Sequence, residues 1–190
     1  MWIEITAQVI GILAMIMNCL SYQQKGRNGI LFFQLGGSIL FSINFFMLGA
    51  ISGAILNLVG IARVLVFLSK EKLNAKHPLW LALFITLYAL SYVLIFTVFN
   101  TPFTLKNAIL EILPVIAMTL TTISFRFSNA KAIRIFGIFN SPLWLIYNIF
   151  SLSIGAICSE IINLISIVVG IIRHDIKREN KEENYDNTNA

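Results

Sequence analysis

The stretch "GAISGAILNL" at residues 49–58 returns at residues 155–164 as "GAICSEIINL", 106 positions later. Both copies keep an asparagine, Asn57 and Asn163, inside a strongly apolar segment. An amide has few hydrogen-bond partners in such surroundings, so each is expected to face water or another polar group of the protein. The duplication predicts that one helical unit occurs twice in the fold.

The amino-acid composition indicates a membrane protein. Of the 190 residues, 57% are hydrophobic and 12% are charged, and the mean hydropathy is +0.81. A soluble domain carries roughly 25% charged residues, and this chain has too few to cover a water-exposed surface. We therefore expect the protein to be embedded in a lipid bilayer. The net charge of +5 comes from predicted loops and implies no nucleic-acid partner.

Seven apolar stretches have the length needed to cross a hydrocarbon core of about 30 Å. They cover approximately residues 4–22, 29–47, 49–68, 79–99, 108–125, 133–150 and 153–173. Very short turns at Gly49 and at Ser151–Ser153 join the second stretch to the third and the sixth to the seventh. The sequence therefore predicts an all-α membrane protein with seven transmembrane helices, forming a single domain over residues 1–173.

The positions of the basic residues predict how these helices are oriented. Of the 14 Lys and Arg residues, 12 fall in the first, third and fifth connections and in the C-terminal tail. Lys106 alone lies at the opposite face, and Arg63 lies inside the third stretch. Cytoplasmic loops carry an excess of Lys and Arg, so the N-terminus is predicted outside and the C-terminus in the cytoplasm. The polar tail at residues 174–190 is predicted to be disordered.

The duplication extends beyond the opening stretch. "LSYQQKGRNGILFF" at residues 20–33 corresponds to "ISFRFSNAKAIRIF" at residues 123–136, each reading as a helix end, a basic turn and a helix start. A three-helix unit copied directly after itself would be inserted upside down, and one intervening helix restores its orientation. We therefore predict two parallel three-helix repeats, residues 4–68 and 108–173, joined by a linker helix at residues 79–99.

The register between the repeats has two candidate values. Pairing Asn57 with Asn163 uses an offset of 106, whereas pairing "GIAR" at residues 60–63 with "GIIR" at residues 170–173 uses an offset of 110. The two values differ by four residues, which keeps the same helix face in both cases.

Several segments of the second half resemble a known family. They are "EILPVIAM" at 111–118, "FRFSNAKAIR" at 125–134, "WLIYNIFSLSIGA" at 144–156 and the pair "SEIIN" and "GIIR" in the last stretch. These segments resemble the YgjV-type bacterial inner-membrane proteins, over nearly all of residues 1–173. The resemblance implies a multi-pass protein of the bacterial inner (cytoplasmic) membrane and supplies no activity. More distantly, the chain resembles the SWEET, semiSWEET and PQ-loop transporters, which share the 3+1+3 layout.

The more distant resemblance implies a substrate site at the membrane midplane. In the sugar-transporting relatives, the third helix of each repeat offers an asparagine to that site, and a tryptophan sixteen residues earlier stacks on the substrate. Asn57 and Asn163 match the asparagines here. Phe41 and Tyr147 stand sixteen residues earlier, with Trp144 one helical turn from Tyr147. These five residues are the substrate-binding candidates that the resemblance supplies.

Prolines interrupt only the second repeat. Pro114 and Pro142 lie in the fifth and sixth stretches, where each frees a backbone carbonyl and permits a hinge. The first repeat has no proline and reads "SYQQK" at residues 21–25, where the sugar-transporting relatives carry a Pro-Gln pair. Any rocking of the two repeats is therefore expected to be asymmetric.

Polar residues within the apolar stretches are the other site candidates. Asn57 and Asn163 are expected near the midplane, where they either line a pocket or bond helices to each other. Glu160 lies about 10 Å into the seventh stretch, and no basic residue follows on that helix until Arg173. An unpaired carboxyl there is expected to be protonated, as a proton-coupled carrier requires. The alternative for Glu160 is a neutral acid that is hydrogen-bonded to a neighbouring helix.

Two further charged residues are secondary candidates. Arg63 lies about five residues from the end of its stretch and is expected to extend its side chain to the membrane interface. The alternatives for Arg63 are an ion pair with a buried acid or a contact with an anion on the inner side of a cavity. Glu111 lies about one turn from the outer face, where water solvates it easily. Cys19 and Cys158 lie inside apolar runs and are expected to be free, buried thiols.

The sequence contains no motif of a catalytic or metal site. HExxH, GxSxG, a phosphate-binding loop and Cys/His metal spacing are all missing from it, so neither an enzyme nor a cofactor is expected. The first hypothesis is a small secondary carrier that binds an unknown small polar solute between the repeats. In this hypothesis Asn57, Asn163 and Glu160 line the binding site. The alternative is a non-transporting membrane scaffold or receptor-like protein, in which these groups only join helices. Either protein is compatible with a homo-oligomer.

Overall fold

The structure, a computed structural model, describes residues 2–48, 51–150 and 154–176. Within these residues it contains seven α-helices and no strand: α1 Trp2–Tyr22, α2 Arg27–Met47, α3 Ile51–Leu68, α4 Pro78–Thr97, α5 Leu105–Arg126, α6 Ala130–Phe150 and α7 Ile154–Gly170. A π-helical turn, Ile171–Ile176, continues α7. The predicted turns at Gly49 and Ser151–Ser153, and most of the predicted disordered tail, lie outside the described residues.

The predicted all-α class is confirmed over the described residues. Six helical segments are long and apolar enough to cross a membrane, and the segment Gly53–Leu68 is apolar but shorter. At two helix starts, a side chain of the preceding turn accepts a hydrogen bond from a backbone N–H that has no partner within the helix. At the start of α4 the His77 ring accepts a hydrogen bond from the Leu79 N–H at 3.2 Å, and Pro78 occupies the first helical turn. At the start of α5 the Thr104 hydroxyl accepts from the Asn107 N–H.

The two halves of the bundle have the same pattern of helix neighbours. In the first half α2 contacts both α1 and α3, and in the second half α6 contacts both α5 and α7. Across the halves, α1 contacts α7, α3 contacts α5, and α2 contacts α6. The fourth helix packs against α3 and α5 through one buried side and presents its other side outward.

The second and sixth helices start 103 residues apart. Arg27 is the first residue of α2 and Ala130 is the first residue of α6. The basic turns at residues 20–33 and 123–136 have the same spacing. This value is shorter than the expected offset of 106 by about one helical turn. At this spacing, Asn57 therefore corresponds to Glu160, and Asn163 corresponds to Gly60.

An aromatic cluster holds α4 against the bundle. The rings of Phe67 and Phe84 have centroids 6.4 Å apart, those of Phe67 and Phe125 5.9 Å, and those of Phe84 and Tyr88 6.5 Å. All four side chains are buried. Aromatic burial of this kind contributes packing energy, so α4 is fixed beside the cores of both halves.

Gly170 provides a test of the packing between α7 and α1. A methyl group at this position would overlap the Tyr22 carbonyl oxygen and lie 3.1 Å from the Arg134 Nε. Because a backbone atom cannot move aside cheaply, we expect Gly170→Ala to lower the free energy of unfolding by about 1–3 kcal/mol. Thermal unfolding of the purified protein in detergent measures this loss.

Gly60→Ala is the matched control for this prediction. A methyl group at Gly60 would meet its nearest neighbours, Met118 and the Ser38 hydroxyl, at 3.7 Å, which is ordinary van der Waals contact. Alanine also favours a helix over glycine, so Gly60→Ala should leave the unfolding midpoint unchanged or raise it. Equal midpoints for the two variants would contradict the close approach at Gly170.

Candidate functional site

A cavity of about 330 Å³ lies between the two halves of the bundle. Its wall is formed by residues of α1, α2, α3, α5, α6 and α7, and α4 contributes none of the lining residues. All six predicted substrate-binding residues line it: Asn57, Asn163, Glu160, Phe41, Tyr147 and Trp144. The structure thus brings these residues together around one space.

Equivalent positions of the two halves line this cavity together. At the spacing of 103 residues, Ser38 corresponds to Ser141, Phe41 to Trp144, and Asn57 to Glu160, and all six side chains are in the wall. The cavity therefore lies where the two halves face each other. The two sides of its wall differ in chemistry, since one half supplies an amide where the other supplies a carboxyl.

The two predicted asparagines do not bond to each other. The Asn57 Nδ2 donates to the Gly53 carbonyl oxygen of its own helix at 2.9 Å. Asn163 is buried, and its Oδ1 has no hydrogen-bond partner among the described residues. Glu160 lies close to the side chains of Ser141 and Asn163. Neither amide therefore joins two helices in the way that the scaffold hypothesis expects.

Buried polar atoms without partners collect at the cavity. In the described part of the chain, the Asn140 Oδ1, the Ser159 Oγ and the Asn163 Oδ1 are buried and unbonded, and all three residues are in the lining. Leaving such an atom unpaired costs about 1–3 kcal/mol. The side chains that line the cavity therefore keep hydrogen-bonding capacity that the described residues do not use.

Aromatic rings form another part of the wall. Phe41 and Phe45 stack with centroids 5.9 Å apart, and Trp144 and Tyr147 meet edge to face at 6.0 Å. Ligand sites typically combine an apolar, aromatic wall with a few convergent polar groups. The cavity has both features.

Arg63 does not extend to the membrane interface, and that prediction is wrong. Only 5% of the surface of Arg63 is exposed. The Nη1 donates to the Tyr88 hydroxyl at 3.2 Å and to the Met118 carbonyl oxygen at 3.3 Å. The guanidinium carbon lies 5.0 Å from the centroid of the Phe125 ring. The side chain stays inside because α4 and α5 supply these partners, and Arg63 is itself part of the cavity wall.

The other predicted residues lie elsewhere. Glu111 is half-buried on α5, and neither it nor the helix-interrupting Pro114 and Pro142 is in the cavity lining. The cysteines Cys19 and Cys158 are free thiols. The expectation that both are buried is wrong, because Cys158 is exposed on the outer surface of α7 and Cys19 is only half-buried.

Two buried arginines close one end of the bundle. This end, called the basic end, is where α1, α3, α5 and α7 finish and α2, α4 and α6 begin. The Arg27 Nη2 donates to the carbonyl oxygens of Phe67 and Phe125, each at 2.9 Å. The Arg134 Nε donates to the Tyr22 carbonyl oxygen at 3.1 Å.

Arg134 makes the more extensive set of contacts. Its side chain is fully buried, its Nη1 donates to the Asp175 Oδ1 at 2.7 Å, and its Nη2 donates to the Gln24 carbonyl oxygen. Tyr22 and Phe125, whose carbonyls the two arginines bind, are 103 residues apart. Each arginine thus bonds the end of the first helix of the other half. These bonds tie the two halves together below the cavity.

Smaller polar groups complete this closure. The Ser166 hydroxyl donates to the Cys19 carbonyl oxygen at 2.6 Å, and the Gln23 Nε2 donates to the Ser166 carbonyl oxygen at 2.8 Å. In the connection after α3, the Lys70 Nζ donates to the Arg126 carbonyl oxygen at 2.9 Å. Partial burial, with Arg27 and another cation nearby, lowers the pKa of Lys70.

Sequence reasoning missed several residues of this site. Asn140, Ser141 and Ser159 line the cavity, and the depth argument that selected Glu160 would have selected them too, since each lies well inside an apolar stretch. Arg134 was assigned only as a loop charge. Its place five residues into α6 is the signal that it reaches inward.

Comparison with known proteins identifies the family. A family model described as "Bacterial inner membrane protein" (Imp-YgjV) matches residues 5–178. The chain belongs to the Imp-YgjV family. It is therefore a multi-pass protein of the bacterial inner membrane, and the resemblance found in the sequence is confirmed. No curated protein and no solved structure matches the chain.

The ion pair at the basic end gives a prediction. Asp175 is the one carboxylate that the described residues offer to the buried Arg134 guanidinium. Asp175→Asn keeps the shape and removes the charge, so we expect the free energy of unfolding to fall by about 1–3 kcal/mol. Thermal unfolding in detergent measures this change, and Glu71→Gln, at an exposed carboxylate of a connection, is the control. Equal effects of the two variants would contradict a structural role for the pair.

Proposed function

We propose that this chain is a small secondary transporter that binds a small polar solute in the cavity between its two halves. In this proposal α1–α3 and α5–α7 are parallel repeats joined by α4, in a 3+1+3, SWEET-like arrangement. The observation that carries the proposal is the collection of buried, unpaired oxygens around a space lined by both halves. The repeat is supported by the matching pattern of helix neighbours and by the spacing of 103 residues, which is shared by the two basic turns and by the starts of α2 and α6.

The polar residues favour a carrier over a scaffold. A scaffold would use Asn57 and Asn163 to bond neighbouring helices, since such bonds stabilise bundles in lipid by roughly 0.6–2 kcal/mol. Here Asn57 is bonded within its own helix, and the Asn163 Oδ1 is unpaired among the described residues. These amides contribute little to assembly, and binding a solute is a use for them.

The volume of the cavity limits the solute to a small molecule. A volume of about 330 Å³ is at the lower end of the range for ligand sites, roughly 300–1,000 Å³. A solute of about the size of an amino acid or a small sugar fits such a space.

The closed basic end suits one state of an alternating-access cycle. The basic residues concentrated at this end favour a cytoplasmic location for it, with the N-terminus outside. Arg27 and Arg134 then hold the cytoplasmic side shut by bonds that cross between the repeats. Opening this side requires these bonds to break while the repeats rock, and Pro114 and Pro142 are the proposed hinges in the second repeat.

The first test compares variants of the two asparagines. Asn57→Ala and Asn163→Ala should each reduce solute flux about tenfold or more, because a buried polar contact to the solute is lost. The solute is first found by screening small polar molecules for thermal stabilisation of the purified protein, and its flux is then measured in proteoliposomes.

Thr119→Ala is the control for this test. The Thr119 hydroxyl bonds the Val115 carbonyl oxygen of its own helix at 2.8 Å and lies outside the cavity lining. Its removal should leave flux unchanged. If the two asparagine variants lower the folding yield and no variant changes any flux, the scaffold hypothesis is correct instead.

The second test concerns Glu160 and proton coupling. Glu160 faces Ser141 of α6 and Asn163 of its own helix, and both Glu160 and Arg63 interact electrostatically with Tyr22 of α1. Protonation from the outside would let the carboxyl carry a proton inward with the solute. We expect wild-type uptake to rise as the outside pH falls, and Glu160→Gln to remove this dependence. A pH dependence that persists in the Gln variant would exclude Glu160 as the coupling group.

A further inference from the structure

We propose that the solute carries a carboxylate group, and that Arg63 binds this group at the basic-end side of the cavity. The inference rests on the proposed function and specifies its ligand. The other end of the solute carries N–H or O–H donors, as in an amino acid or a hydroxy acid.

The position of Arg63 makes it part of the binding site. It follows Asn57 by six residues on α3, about 9 Å further toward the basic end. Both residues line the cavity, and Arg63 is almost fully buried. Its charge therefore acts on the cavity with little screening by solvent.

The Nη2 corner of the Arg63 guanidinium is the one next to the cavity wall. The Nη1 corner is held by the Tyr88 hydroxyl and by Met118. The Nε is buried and has no hydrogen-bond partner in the described part of the chain. The Nη2 lies 4.0 Å from the point where a Cβ of Gly60 would be, and Gly60 is also in the cavity wall. The Nη2 is therefore the donor that a carboxylate in the cavity would reach, through a charge-assisted hydrogen bond.

The charge of Arg63 also lacks a compensating acid. Of the other two buried arginines, Arg134 pairs with the Asp175 carboxylate, and Arg27 donates to two carbonyls at the negative ends of helices. Among the described residues no carboxylate forms an ion pair with Arg63. A buried cation without a counter-ion attracts an anion strongly, because burial has removed its water.

The remaining lining favours a carboxylate over a multiply charged anion. Asn140 and Asn163 present unpaired acceptor oxygens, and Glu160 adds a carboxyl to the same wall. A phosphate dianion would be repelled by these oxygens. A solute with one carboxylate at Arg63 and donor groups facing the acceptors satisfies both ends of the cavity.

The test measures binding to the purified full-length protein by isothermal titration calorimetry in detergent. The probes are alanine, lactate, propionate, glycerol and sodium chloride at equal concentrations. Alanine or lactate should bind more tightly than propionate, which has no donor at its other end. Glycerol and chloride should bind more weakly than either. The comparison of alanine with lactate decides between an amino acid and a hydroxy acid.

Variants of Arg63 and its neighbour test the assignment. Arg63→Gln should weaken binding of the better carboxylate about 10- to 100-fold, the loss expected for a charge-assisted hydrogen bond. Tyr88→Phe removes a structural partner of Arg63 and leaves the Nη2 in place, so affinity should stay within about threefold. Where the Gln variant does not fold, Arg63→Lys serves, because it keeps the charge, loses the planar guanidinium that carries Nη2 and should bind with intermediate affinity.

The outcomes distinguish this inference from the proposed function. Wild-type affinity in Arg63→Gln or Arg63→Lys overturns the assignment, as does chloride binding as tight as that of the carboxylates. If glycerol alone binds, and its binding is lost in Asn57→Ala, the assignment of a carboxylate to the solute is wrong. The proposal that the chain is a transporter is unaffected by this outcome. If none of the probes binds, the carboxylate is excluded, and the wider solute screen with Asn57→Ala decides the proposed function separately.

Discussion

The hydrogen bonds from Arg27 and Arg134 to helix-end carbonyls are the constraint on which the bundle depends. The last carbonyls of a helix have no partner within it, and at a buried helix end they must be satisfied by other groups. A guanidinium inside the protein needs acceptors for the same reason. Each arginine meets both needs at once, and each bonds the other half of the molecule. The helix ends are thereby fixed, and the cavity is positioned beyond them.

The two halves of the bundle present different side chains to the cavity. At a spacing of 103 residues along the sequence, Phe41 pairs with Trp144 and Asn57 pairs with Glu160, and all four residues line the cavity. The wall therefore carries an amide in the first half and a carboxyl in the second half, so its two sides differ in chemistry.

The sequence predicted the helices well because apolar length is a strong signal, and every described helix lies close to its expected bounds. It also selected residues that share a cavity, since polar groups deep in apolar stretches must face protein or water. The prediction for Arg63 failed because the distance to its own helix end says nothing about Tyr88 on a helix elsewhere in the sequence. The register between the two halves stays a prediction: identical residues gave offsets of 106 and 110, whereas α2 and α6 start 103 residues apart.

The central claim, that polar residues of both halves line a water-accessible cavity, is tested most directly by cysteine accessibility. In a background with Cys19→Ala and Cys158→Ala, Ser38→Cys and Ser141→Cys are labelled with a charged, membrane-impermeant thiol reagent. Ile39→Cys and Phe139→Cys are controls on the same helices, because these side chains face outward. The account predicts that both serine positions react and both controls do not. Labelling of neither serine position, or equal labelling of all four, would contradict it.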